Sequence, residues 1–119
     1  MIKTILQDKY DVDSFSFCKE FIVTLVSDTS TKKLSFGDRI VYFKFHEKEL
    51  ANPTNFPYYN LLGKSLRTTT LIQNFDSELL ERIESDTRDF YSANELKHYI
   101  IIAQNHIMEI VSFDKVQEV

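Results

Sequence analysis

Three histidines, one cysteine and a scatter of serines and threonines are the side chains with the chemistry for catalysis or metal binding. His46, His98 and His106 are too widely spaced to form a short-range ligand pair. Cys18 has no second cysteine beside it, so the ligand pattern of a structural zinc site is missing. The histidines are therefore expected on the surface or at sheet edges. Cys18 lies between Phe17 and Lys19 at the start of an apolar strand, where a free cysteine reads as a small buried hydrophobe. No serine sits in a Gly-x-Ser-x-Gly elbow. Gly37 and Gly63 are isolated, so neither a dinucleotide fingerprint nor a P-loop can be built. What remains is acid–base chemistry: His46 with Lys44 and Arg67, next to Thr68, Thr69 and Thr70, could line a cleft for a phosphodiester. The plainer expectation for that stretch is a partly solvated strand face.

Charge is distributed less evenly than chemistry. The chain has a formal net charge of −4, with 18 acids against 14 bases and a sequence pI near 5.3. Residues 32 to 67 hold 7 bases and 3 acids. Asp76 to Tyr91 holds 6 acids and 2 bases, a charge equal to that of the whole chain. Asp76 and Glu78 suit the positive end of a helix dipole. Glu78 and Glu81 have Arg82 within a turn, and Glu84 has Arg88 four residues on. Asp86 and Asp89 oppose the dipole and have no such local explanation. An acidic face of this kind can steer a basic partner.

The elements that must carry these residues follow from hydrophobic period. Phe15, Phe17, Phe21, Val23 and Leu25 alternate, predicting a strand over Phe21 to Ser27 with an extension back to Ser14. Ser27 to Lys33 reads as a loop. Arg39 to Phe45 is a second strand, expected to pair antiparallel with the first because sequential strands are usually neighbours. Pro57 to Leu62 fits a short helix closed by Gly63. Thr68 to Gln73 fits a short strand. Asp76 to Tyr91 is the clearest helix: Asp76 as N-cap, a Phe75–Leu80 staple, and a stripe of Leu79, Leu80, Ile83, Thr87, Phe90 and Tyr91. Lys97 to Gln104 and Ile107 to Phe113 form a C-terminal hairpin around Asn105-His106. Tyr99, Ile101 and Ala103 then share a face with Met108 and Ile110, with Ile100, Ile102 and Val111 opposite. The tail from Asp114 extends that hairpin or frays.

Together these elements predict a single α+β domain over residues 1–119: a mainly antiparallel sheet of about five strands packed on one main amphipathic helix, with a C-terminal β-hairpin. The composition agrees. Hydrophobic residues make up 43%, and there are 2 Gly, 2 Pro, 1 Cys and no Trp in 119 residues, against collagen-like, linker-rich or disulfide-stapled designs. Ten Phe and six Tyr argue against disorder. An acidic chain is a poor nonspecific nucleic-acid binder. The N-terminus turns acidic too soon for a secretory signal. No apolar run approaches the roughly 20 residues of a membrane span. A lone cysteine fits a reducing compartment, so a cytoplasmic location is expected. No cofactor is expected.

The functional expectation is binding and not catalysis. The leading form is an inhibitor or immunity protein that occludes the active surface of a basic, nuclease-type bacterial toxin. Glu81, Glu84, Asp86 and Asp89 would meet the toxin's cationic residues, and Tyr58, Tyr59 and Tyr91 would serve as aromatic anchors. The alternatives are a small hydrolase or nuclease using His46 with Lys44 and Arg67, and a regulatory or structural subunit that dimerises through a sheet edge.

Overall fold

A computed structural model describes residues 2–47, 69–75, 77–88, 90–104 and 106–119. Nine strands and one helix occur among them: β1 (Ile2–Gln7), β2 (Asp11–Phe17), β3 (Phe21–Val26), β4 (Thr31–Ser35), β5 (Ile40–Glu47), β6 (Thr69–Asn74), α1 (Glu78–Asp86), β7 (Lys97–Ile102), β8 (His106–Ser112) and β9 (Gln117–Glu118). They make a small, mostly antiparallel α+β domain, but with two sheets where one was expected. One has five strands in the order β1-β6-β7-β8-β5; the other has four in the order β2-β3-β4-β9. The short helix expected over Pro57 to Leu62, with Gly63, lies outside the described residues.

The two sheets share one core. Val12, Phe21, Val23, Leu25 and Leu34 from the smaller sheet are buried with Leu71, Tyr99, Ile101, Met108 and Ile110 from the larger. β3 shows how alternation produces this: Phe21, Val23 and Leu25 are buried while Ile22, Thr24 and Val26 are half-buried. In β2 the pairing steps from Val12–Leu25 to Ser14–Thr24, leaving Asp13 as an extra residue. That bulge resets the alternation, so Val12, Phe15 and Phe17 all lie opposite inward-facing residues of β3.

The expected pairing of β3 with β5 does not form. β3 has β2 and β4 on its two edges, joined by short turns, and β5 pairs instead with β8. The apolar faces of β3 and β5 meet across the layers, with the Phe21 and Phe43 rings 5.1 Å apart. β4 begins inside the stretch read as loop. The turn before it is set by Ser27, whose Oγ accepts from the N–H groups of Thr29 and Ser30 at 3.3 and 3.1 Å. The tail neither extends β8 nor frays: β9 adds to β4, and Tyr99 Oη accepts from Val116 N–H at 3.1 Å.

The C-terminal hairpin forms with its turn one residue earlier than expected, since Ile102 pairs with Ile107 and Ala103 N–H donates to His106 O. Moving the turn by one residue shifts the pairing by two positions. The predicted faces therefore survive. Tyr99, Ile101, Met108 and Ile110 line the shared core, while Val111 packs under the helix with Leu79, Leu80 and Leu96.

α1 thus covers the outer face of the five-stranded sheet. It is shorter than Asp76 to Tyr91 at both ends. Ser77, not Asp76, is the N-cap, accepting from Leu80 N–H at 3.2 Å, and Phe75 is exposed where a staple was expected. At the other end Thr87 hydroxyl donates to Ile83 O at 2.7 Å, and Arg88 adopts φ +52, a left-handed conformation that ends the helix. Phe90 consequently leaves the apolar stripe and is 78% exposed.

Gly37 joins the layers' loops at φ +85, and its carbonyl accepts from Phe21 N–H at 2.8 Å. A β-carbon there would run into the Asp114 carboxylate. That carboxylate is held by Arg39 at 2.8 Å, which keeps Asp114 below the usual carboxylate range.

Candidate interaction site

The outward side of α1 carries the acidic residues singled out by sequence. Glu78, Glu81 and Asp86 are exposed and make no ion pair among the described residues. The expected partnerships with Arg82 and Arg88 are not made. Glu84 behaves differently: it is half-buried, and its carboxylate accepts from Ala93 N–H at 2.5 Å, pinning the chain that follows the helix. Glu84 therefore belongs to the scaffold. Tyr91 is half-buried against Phe113, ring centroids 5.4 Å apart. Phe90 stands on Tyr91 edge-on at 5.0 Å and projects into solvent. Asp89, Tyr58 and Tyr59 lie outside the described residues. Among the described residues the region thus presents three carboxylates without an ion pair and one large exposed apolar ring.

The second notable group lies beneath the helix. His98 is wholly buried, contrary to the expected surface position, because residue 98 shares the helix-facing parity of Ile100 and Ile102. Its Nδ1 is 2.7 Å from Ser77 Oγ, and its Nε2 is 3.9 Å from Glu109 Oε1. Ser77 Oγ also accepts from Leu80 N–H, and its second lone pair and its proton let it either accept from or donate to Nδ1, according to the tautomer of the ring. Burial pushes the His98 pKa down to about 4. A serine, a histidine and a carboxylate in line are the residue types of acyl transfer. Here the serine oxygen is engaged as a helix cap in a residue only 3% exposed. Two surface clefts, of about 540 and 420 Å³, are lined by none of the three. The Ser77–His98 bond ties the N-cap of the helix to the sheet. Sequence reading missed it, although His98 and Glu109 are polar residues at inward positions of otherwise apolar strands, and that mismatch is the signal.

Most residues of the acid–base alternative lie outside the described ones. Lys44 is exposed and lies opposite Glu109 in the strand register. Arg67 and Thr68, and the side chains of His46, Thr69 and Thr70, are outside the described residues. Cys18 is exposed in the turn between β2 and β3, not buried, because β2 ends at Phe17. His106 is half-buried, its ring 4.4 Å from that of Phe45. Among the described residues no cluster of three or more His, Cys, Asp and Glu could hold a metal ion. No helix among them is long and apolar enough to cross a membrane.

Among the described residues the fold is a mostly antiparallel α+β domain with two sheets and one helix. No protein-family model matches the chain, and comparison with curated proteins and with solved structures returned no match.

Proposed function

We propose that this protein acts in the cytoplasm by binding and not by catalysis, as an inhibitor of immunity type that occludes the active surface of a basic, nuclease-like toxin. The observation that carries the reading is the outer side of α1: Glu78, Glu81 and Asp86, exposed and without an ion pair among the described residues, beside an exposed Phe90. Carboxylates without internal partners lose no ion pair on meeting a cationic surface, and their field accelerates encounter. An aromatic ring standing free of the core supplies the anchor that a docked interface needs at its centre. Glu81 and Asp86 keep the contact role expected of them, Glu84 is reassigned to the scaffold, and Phe90 is added.

Titration tests this. Any basic protein encoded in an adjacent reading frame is assayed for nuclease activity against increasing amounts of this protein. Stoichiometric loss of activity is expected. Phe90→Ala is expected to weaken the inhibition about tenfold or more, as removal of an interface anchor does. Full nuclease activity in the presence of excess protein overturns the reading.

A further inference from the structure

The chain that leaves α1 is fastened back onto the helix by hydrogen bonds on both sides of Phe90. Thr87 N–H donates to Ile83 O at 3.0 Å, Arg88 N–H to Ser85 O at 3.1 Å, and Phe90 N–H to Thr87 O at 3.0 Å. Tyr91 N–H donates to Thr87 Oγ at 3.4 Å, and Ala93 N–H to Glu84 Oε2 at 2.5 Å. The bond to Glu84 spans nine residues and closes the segment into a loop. Beyond it, Glu95 and Leu96 N–H donate to Ser92 and Ala93 O, and Leu96 is buried in the cluster under the helix. Within the loop Arg88 holds φ +52, a conformation that a non-glycine residue keeps only where its surroundings fix it. Phe90 is the most exposed of the large apolar side chains described, yet it stands on this tightly bonded loop with its ring edge-on to Tyr91.

We propose that Glu84 is a positioning residue for Phe90: by holding Ala93 N–H it keeps the loop, and with it the ring, in the binding position before a partner arrives. This rests on the inhibitor reading, in which Phe90 is the anchor. Association ordinarily carries the cost of ordering loops and side chains at the interface. Here that ordering is completed on folding, so docking has no loop left to fix. Glu84 differs in this from Glu78, Glu81 and Asp86. Their carboxylates are exposed and act through their field, whereas the Glu84 carboxylate is half-buried and turned to the backbone of the loop. Its contribution is geometric and passes through the ring.

The test is a double-mutant cycle on inhibition of a basic nuclease that the wild type inhibits in the titration above. Glu84→Ala is expected to weaken inhibition about tenfold, and to change it little in the Phe90→Ala background. Glu84→Gln loses the charge but keeps an oxygen to accept from Ala93 N–H, and is expected to retain most of the affinity. Hydrogen exchange on the free protein adds a readout that needs no partner: the Ala93 amide is expected to exchange about tenfold faster in Glu84→Ala, with the amides of β7 unchanged. In case Glu84→Ala loosens the whole fold, Thr87→Val, which removes the acceptor for Tyr91 N–H, carries the same cycle. Equal losses with and without Phe90, a Glu84→Gln variant as weak as Glu84→Ala, or unchanged Ala93 exchange overturns the positioning role and leaves the inhibitor reading standing. A wild type that inhibits nothing in the titration overturns that reading, and this role with it.

Discussion

Replacing Phe36 with alanine is expected to cost the fold about 3–5 kcal/mol, the usual penalty for truncating a fully buried aromatic. Phe36 has no exposed surface. It lies between the layers, its ring 6.3 Å from Phe21 of the smaller sheet and 5.4 Å from Tyr99 of the larger, both near edge-on. Its loss would leave a cavity bounded by two sheets, which cannot collapse without sliding one past the other. Urea unfolding with an unchanged m-value measures the loss. Phe36→Leu, which keeps much of the volume, is expected to cost less than half as much. A penalty below about 1 kcal/mol would mean that the two sheets do not share a core at this point.

Acidification from pH 7 to pH 4 is expected to remove about 3 kcal/mol of stability through His98 alone. The unfolded chain takes up a proton as the pH falls through the ordinary histidine value of 6.5, whereas burial holds the folded His98 near 4. Between those values the unfolded state binds the extra proton, so stability is full above about pH 6.5 and declines until the folded ring also titrates near pH 4. Glu109 Oε1, at 3.9 Å, is beyond hydrogen-bond range and does not offset the burial. Because Ser77 both caps α1 and bonds His98, the loss is expected first as release of the helix from the sheet. His98→Gln is expected to be less stable at pH 7 but to lack this part of the pH slope. Identical slopes in the two proteins, or an NMR titration of His98 near 6.5, would contradict the account.

The elements that were legible in the sequence are those with strong period. β3, β5, β7 and β8 are dense in aromatic and branched residues, and the faces of the hairpin were readable even though its turn was placed one residue late. β4 was not, because Leu34 is its only large apolar residue and Thr31 to Lys33 read as a polar turn. β2 was obscured by the bulge at Asp13, which breaks the alternation. The division into two sheets was not legible at all: alternating apolar faces say which side of a strand is buried, not whether two strands meet edge to edge or face to face. The acidic side of the helix was visible as composition. Its length was not, since the left-handed Arg88 and the Thr87 hydroxyl bond are invisible in a stripe that formally continues to Tyr91. Phe90 was therefore assigned to the core it does not join.

The central claim, that the outer side of α1 meets a basic partner, is tested most directly by association kinetics, as a function of salt, against a basic nuclease that the protein inhibits in the titration above. Wild type is compared with a triple variant, Glu78→Lys, Glu81→Lys and Asp86→Lys, which leaves the scaffold residue Glu84 intact. The variant is expected to associate about tenfold or more slowly at low ionic strength, with the difference shrinking as salt screens the field. Equal rates and equal salt dependence for the two proteins would contradict it.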